Sequence, residues 1–260
     1  TDPNDPNSKP GLDYGLVAWY PFDGNANDMS GNGNHGTVNG ATLGVDRHGA
    51  AGKAYDFDGV DDYVQVSSSE ELRDLTEYTV SLWALAPNFA ENYNPLVTKM
   101  SGGISSFEIY GGNGFTLVHN RESTFKYQYY SALPSNRWNH LVITFSGGTL
   151  SKYDDGNLDA SSTGWSNPEH YDFPIYIGKG TWQTGGARFK HHFHQGFIDD
   201  VRIYDRALST TEVTTLYEQE KPNPVQITLS NNSVLENMPM GTEVGKFSVR
   251  DAGTFSFSLV

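Results

Sequence analysis

The residues best suited to chemistry in this sequence are oxygen donors on a glycine-rich stretch, "DGNANDMSGNGNHGT" at 23–37. A hard cation such as Ca²⁺ takes about six to eight oxygens from carboxylates, amides and carbonyls. Asp23, Asn25, Asn27 and Asp28 supply side-chain oxygens, and Gly31, Gly33 and Gly36 permit backbone angles that turn carbonyls inward. The spacing begins like an EF-hand. It departs where Asp28 replaces the sharp-turn glycine and Asn34 the closing glutamate. A cation here would need a second segment to complete its shell, and the competing reading is a self-bonded turn. One candidate segment is "GFIDDVRIYD" at 196–205, with adjacent Asp199 and Asp200. In a strand these point to opposite faces, one toward a cation or loop and the other toward solvent or an arginine.

Other clusters read more simply. "FDGVDDYV" at 57–64, with Asp58, Asp61 and Asp62, is the chemistry of a tight hairpin, and "YDDGNLD" at 153–159 reads the same way. "KHHFHQG" at 190–196 would put His192 and His194 on one side of a strand, but no third spaced ligand completes a zinc set, so a polar edge is expected. Glycoside hydrolysis needs two carboxylates flanking the scissile bond. Glu108, in "FEIYGG", has no such partner in sequence, and neither a G-x-S-x-G elbow nor a phosphate-binding glycine loop occurs. A hydrolytic reading would require a carboxylate pair facing a cleft. For sugar binding, aromatic platforms and polar groups are needed. Trp182 and Trp165 lie in Gly/Thr/Ser-rich loops, and Tyr93, His119 and Arg121 would line a neighbouring surface. The alternative for each Trp is a lid folded back on the core.

These residues need a scaffold, and its class is legible. The 260 residues include 15 Tyr, 14 Phe and 28 Gly, a composition that favours pleated surfaces joined by turns. Short apolar runs such as "YTVSLWALA" (78–86) alternate with period two. Together they predict an all-β antiparallel sandwich of jelly-roll type. One short helix is signalled over 207–219: Ser209 and Glu212 form a capping box, with Leu208 and Val213 as its hydrophobic staple. Residues 1–14 read as a linker, 15–219 as the main domain, 220–226 as a second linker and 227–260 as a partial β segment. A formal charge of −14 excludes nucleic acid as partner. Without cysteine there is no disulfide framework or thiolate chemistry. No apolar run approaches a membrane span, and no signal peptide is visible. The start at Thr1 suggests that a leader or earlier domains precede it.

The order of phrases "LVAWYPFDGNANDMSGNGNHGTVNGAT", "AYDFDGVDDYVQV", "YTVSLWALAP", "RWNHLVITF", "IYIGKG" and "GFIDDVRIYDRALSTTEVTTLY" resembles the laminin-G-like, concanavalin-A-like lectin/glucanase jelly-roll domains of secreted bacterial proteins. That resemblance implies two stacked antiparallel sheets, a structural calcium ion, and glycan or matrix binding rather than catalysis. It also pairs the early loop with the late strand, giving Asp23, Asp28, Asn32, His35 and Asp199 as the expected metal ligands. Asp28 and Asp199 would be the principal carboxylates. It assigns Trp19, Trp83 and Trp138 to packing, and leaves Trp182, Trp165, Tyr93, His119 and Arg121 as expected carbohydrate contacts. The tail resembles a bacterial cadherin-like repeat, although "SVRDAGTFSF" offers only Asp251 where an acidic calcium motif belongs. The expectation is an extracellular or cell-surface, calcium-stabilised, non-catalytic module that binds a glycan or extracellular matrix polysaccharide. The alternatives are a structural spacer of an adhesin or an ancillary domain of a polysaccharide-degrading enzyme.

Overall fold

A computed structural model describes residues 11–89, 94–101, 104–111, 117–121, 124–168, 170–184, 188–222, 227–229 and 247–249. Strands β1 (Leu16–Tyr20), β2 (Gly36–Asn39), β3 (Thr42–Val45), β4 (Ala51–Asp58) and β5 (Tyr63–Val66) lead to one helical turn, α1 (Glu70–Arg73). Next come β6 (Tyr78–Leu85), β7 (Asn94–Ser101), β8 (Ile104–Gly111), β9 (Leu117–Arg121) and β10 (Thr124–Gln128). β11 (Asn139–Ser146), β12 (Thr149–Asp154), β13 (Asn157–Ser162) and β14 (Ile175–Ile177) precede β15 (Lys179–Thr184) and β16 (Arg188–Phe193). β17 (Gln195–Tyr204), α2 (Thr210–Glu220), β18 (Ile227–Leu229) and β19 (Phe247–Val249) complete the described elements.

Two antiparallel sheets form the predicted sandwich. One has the order β13-β12-β11-β6-β17-β4-β3 with β1 added against β17; the other runs β10-β9-β8-β7-β14-β5-β2. Period-two alternation decides the faces. Tyr78, Val80, Leu82 and Ala84 of β6 and Ile198, Val201 and Ile203 of β17 enter the core, meeting Val64, Ile175 and Phe107 from the other sheet. Tyr78 stacks on Phe107 at 5.1 Å and on Phe145 at 5.6 Å between ring centroids. β15 and β16 form a separate hairpin, and β18 pairs with β19. Most of the segment expected to be cadherin-like lies outside the described residues.

The outward residues of β6, β11 and β17 are not all left to water. Helix α2 starts at the predicted capping box, with Ser209 and Glu212 satisfying each other's backbone N–H groups. Its Val213 and Leu216 form a second apolar cluster with Val142, Tyr153, Tyr204 and Leu208. Leu12 and Leu16, partly buried, pack against that cluster. The helix also runs to Glu220, one residue past its expected end.

Because Leu216 is 2% exposed, Leu216→Ala is expected to lower unfolding stability by about 2–5 kcal/mol, read from the urea midpoint. A loss below about 1 kcal/mol would mean that α2 is only loosely docked.

Candidate functional site

The glycine-rich loop is organised around Asp28 itself. One carboxylate oxygen accepts the N–H groups of Trp19 (2.9 Å) and Ser30 (2.8 Å). The other accepts Ser30 Oγ–H and the Asn34 N–H, both at 2.9 Å. Burial pushes this carboxyl upward, but the four donors outweigh it and hold Asp28 below its ordinary value. His35 Nδ1 accepts the Asp28 N–H at 3.1 Å. The Asn32 amide donates to the Leu16 and Val17 carbonyls, and that of Asn34 to Val17. Asp23 is exposed and faces Lys53 at 3.2 Å.

Asp199 lies elsewhere, beneath α2. A register shift interrupts the β17–β6 ladder between Asp199 and Arg202, and Asp200 takes a left-handed φ of 47°. This bulge corrects the expectation that the two aspartates face opposite ways, because both meet one arginine. Arg47 donates to Asp199 Oδ2 at 2.5 Å and to Asp200 Oδ2 at 2.6 Å, and its Nε donates to the Glu220 carbonyl at 2.7 Å. Trp19 Nε1 donates to Asp200 Oδ1 at 2.8 Å. The Glu220 carboxylate accepts from Trp83 Nε1 at 2.8 Å and from Arg202. Burial, followed by repulsion from Asp200, pushes Asp199 up to about 8 against the pull of Arg47. His140, clustered with the Trp83 and Tyr217 rings, is held down to about 3 by burial and then by Arg202 and Arg47.

The five expected metal ligands therefore do not fit a common calcium shell in this structure: Asp28 is saturated by donors, His35 Nδ1 accepts an N–H, Asn32 turns its amide N–H to carbonyls, Asp23 is exposed beside Lys53, and Asp199 meets Arg47 in a separate place. Among the described residues, the carboxylates that do gather at metal-ligand spacing are Asp58, Asp61 and Asp62, within 4.8 Å of one another. They belong to the predicted tight turn, where Asp58 accepts the Val60 and Asp61 N–H groups and Asp62 accepts that of Asp58.

Of the expected sugar contacts, Trp165 is corrected to a core residue. It is 6% exposed, joins the main cluster, and donates Nε1–H to Ser162 Oγ at 3.1 Å. Trp182 lies on β15 opposite Lys190, and His119 and Arg121 lie on β9 opposite Lys126 and Thr124. The side chains of these three are outside the described residues, as is Tyr93 altogether. His194, expected on a polar edge, is instead fully buried against Phe57 and Phe89.

A cleft of about 360 Å³ opens on the face that α2 covers in part, at the other end of β17. Asp56 and Asp58 of β4, Gln195 and Phe197 of β17 and Leu85 of β6 share this face, with Pro87 and Asn136 contributed by loops. The register sets Gln195 opposite Asp58 and Phe197 opposite both Asp56 and Leu85. Two glycines make room. A Cβ on Gly44 would stand 2.5 Å from the Phe197 ring, and one on Gly196 (φ 125°) would stand 2.1 Å from the Leu85 carbonyl. Asn136 also has a left-handed φ, 60°, and is tied to the strand end by its N–H to the Ala86 carbonyl at 2.8 Å. Trp138, expected to be core, is half-buried and sits 6.1 Å from Phe197 between ring centroids. Asp56 is raised by burial and then by the Asp62 and Asp58 charges. Sequence reading missed this site because its polar residues resembled turn chemistry and its aromatics resembled core.

Residues 58–214, more than half the chain, match the model of the concanavalin A-like lectin/glucanases superfamily. The match does not extend to the tail. No curated protein matches in sequence. Among solved structures, domain 4 of AbnA, a GH43 extracellular arabinanase from Geobacillus stearothermophilus in complex with arabinotriose, is 22% identical with a TM-score of 0.62. It covers 78% of this chain and 98% of its own. The binding domain of Paraclostridial Mosquitocidal Protein 1 is 20% identical with a TM-score of 0.63, and covers 80% of this chain and 53% of its own. The binding domain of botulinum neurotoxin serotype D is 15% identical at a TM-score of 0.61, with coverages of 80% and 52%. The chain thus spans about half the length of the toxin domains, and at these identities the likeness is one of fold.

The Asp199 shift has a measurable consequence. The folded state holds this proton more tightly than the unfolded chain, so its contribution is present at acid pH and lost as pH rises toward about 8. Glu108, pushed up to about 7 by burial, acts with the same sign. His140 and His194, held down to about 3 and about 4 by burial, act with the opposite sign below their ordinary value of 6.5, so the net decline in wild-type stability is expected above it, toward about 8, and less steeply in Asp199→Asn, followed by thermal unfolding against pH. Parallel profiles would contradict the assignment.

Proposed function

As the chain belongs to the concanavalin A-like lectin/glucanases superfamily, we propose that it is a non-catalytic carbohydrate- or matrix-binding module whose ligand site is the Phe197 cleft. The observation that carries this reading is the combination of Phe197 and half-buried Trp138 with Asp56, Asp58, Asn136 and Gln195 on one open face. A sugar ring lays its C–H face on an aromatic side chain, and its hydroxyls need polar groups fixed in direction. Strand-borne Asp56, Asp58 and Gln195 supply fixed acceptors, and Gln195 and Asn136 also supply amide donors. Such a ligand is in keeping with the arabinotriose complex of the AbnA domain.

The location is proposed as extracellular or cell-surface, in line with the extracellular arabinanase whose domain shares the fold. Attachment to a larger adhesive or polysaccharide-targeting protein, with a cadherin-like tail, belongs to the same proposal. One observation favours a second reading. Asp56 and Asp58 are a carboxylate pair facing a cleft, as hydrolysis requires. Release of new reducing ends from a bound polysaccharide, lost in Asp56→Asn, would establish it.

Phe197→Ala is expected to weaken oligosaccharide binding by about 1–3 kcal/mol in titration calorimetry while leaving the fold intact, the ring being only half-buried. Unchanged affinity for a bound glycan would move the site elsewhere. Calcium is a separable part of the proposal. Since the Asp28 loop is held by its own hydrogen bonds, chelation is expected to leave the unfolding temperature unchanged. A saturable calcium-dependent rise, absent in Asp28→Ala, would restore the loop as a metal site.

A further inference from the structure

The cleft contains a charge that the protein does not balance. Elsewhere, carboxylates drawn out of water meet cations: Asp199 and Asp200 meet Arg47, Glu220 meets Arg202, Asp154 and Asp159 meet the buried Lys152, and Glu212 meets Arg206. Asp28 has no cation but has four hydrogen-bond donors, and Glu108 receives the Tyr110 hydroxyl at 2.7 Å. Asp56 is different. It is half-buried, accepts the Phe57 backbone N–H, and is raised by burial and then by the Asp62 and Asp58 charges. Among the described residues, no Lys, Arg or His lines the cleft. A carboxylate half-withdrawn from water beside like charges stays ionised at a cost, which a cation delivered by a ligand would relieve.

Geometry indicates where that cation must be carried. Asp56 and Phe197 are register partners on adjacent strands and face the same side. Their Cα atoms are therefore about 5 Å apart, roughly the width of a sugar ring. A ring stacked on Phe197 presents its substituents to Asp56 on one side and to Gln195 and Asp58 along the strands. A uronate or sulfate in the same place would meet two carboxylates with no cation to offset them.

We propose that the cleft selects a glycan bearing a protonated amine, of the 2-amino-2-deoxy sugar class, over its neutral and acidic counterparts, with Asp56 as the selecting group. This rests on the reading of the cleft as a sugar site. It names the charge of the ligand and leaves the sugar's linkage open. The ammonium takes the place that Arg or Lys fills at the other withdrawn carboxylates, and the aromatic ring takes the C–H face.

The test is calorimetric titration of the whole chain with matched oligosaccharides: a free-amine chito-oligomer, its N-acetylated form, neutral gluco-, xylo- and arabino-oligomers, and an oligogalacturonate. The pH is set so that the amine is protonated and the carboxylates are ionised. The free amine is expected to bind about tenfold more tightly than its acetylated twin at low salt, the gap narrowing as salt is added. Asp56→Asn should remove the gap while keeping the acetylated affinity. Asp58→Asn, on an exposed turn whose backbone bonds asparagine can still accept, is the second variant if Asp56→Asn does not fold. Equal affinity for amine and acetylated forms, or a gap that survives both substitutions, overturns the selectivity and leaves the cleft reading standing. If none of these oligomers binds, the cleft reading fails and the selectivity with it.

Discussion

The contact on which the rest of the arrangement depends is the Arg47 guanidinium held between Asp199 and Asp200. It requires the bulge in β17, because a regular strand would send the two carboxylates to opposite faces. Once they converge, Arg47 also reaches the last carbonyl of α2, and Glu220 reaches back to Trp83 and Arg202. The helix is thus fixed at its start by Leu208, Val213 and Leu216 and at its end by charge. Burying such a group yields little net stability, since desolvation offsets attraction, but breaking one partner out of it costs several kcal/mol, about 3–5. Its contribution here is positional: it determines where the helix stops covering the sheet.

β17 acts as the ruler for both regions. Its outward residues near the C-terminal end, Asp199, Arg202 and Tyr204, lie in the part that the helix covers. Its first outward residues, Gln195 and Phe197, lie beyond it and line the cleft. The same alternation that builds the core through Ile198, Val201 and Ile203 therefore divides one face into a sealed half and an open half. The proposed binding site is the uncovered remainder of a face whose other half needed a lid.

Much of this was legible in sequence because local rules suffice for it. Strand alternation, the capping box at Ser209 and the staple of Leu208 and Val213 each depend on a few neighbouring residues, and each appears where expected. What was not legible depends on long-range pairing. Asp28 and Asp199 look alike as candidate ligands, yet one is saturated by N–H and O–H donors within its own loop and strand, and the other by Arg47, which is 152 residues away in sequence. Trp165 sat in a glycine-rich stretch that suggested exposure and proved to be core, whereas Trp138, assigned to packing by the family resemblance, lies just before β11 and proved only half-buried. Asp56 and Asp58 were hidden in a hairpin signature, and only the register of β4 against β17 places them beside Phe197.

The most direct test of the central claim, that the open half of this face binds glycan, is amide chemical-shift mapping during titration with an oligosaccharide that the chain retains. The result expected is saturable shifts concentrated at residues 56–58, 85–87, 136–138 and 195–197, with the amides beneath α2 unmoved. Saturable shifts that instead cluster on the β15–β16 hairpin or on β9 and β10, leaving the Phe197 cleft silent, would contradict it.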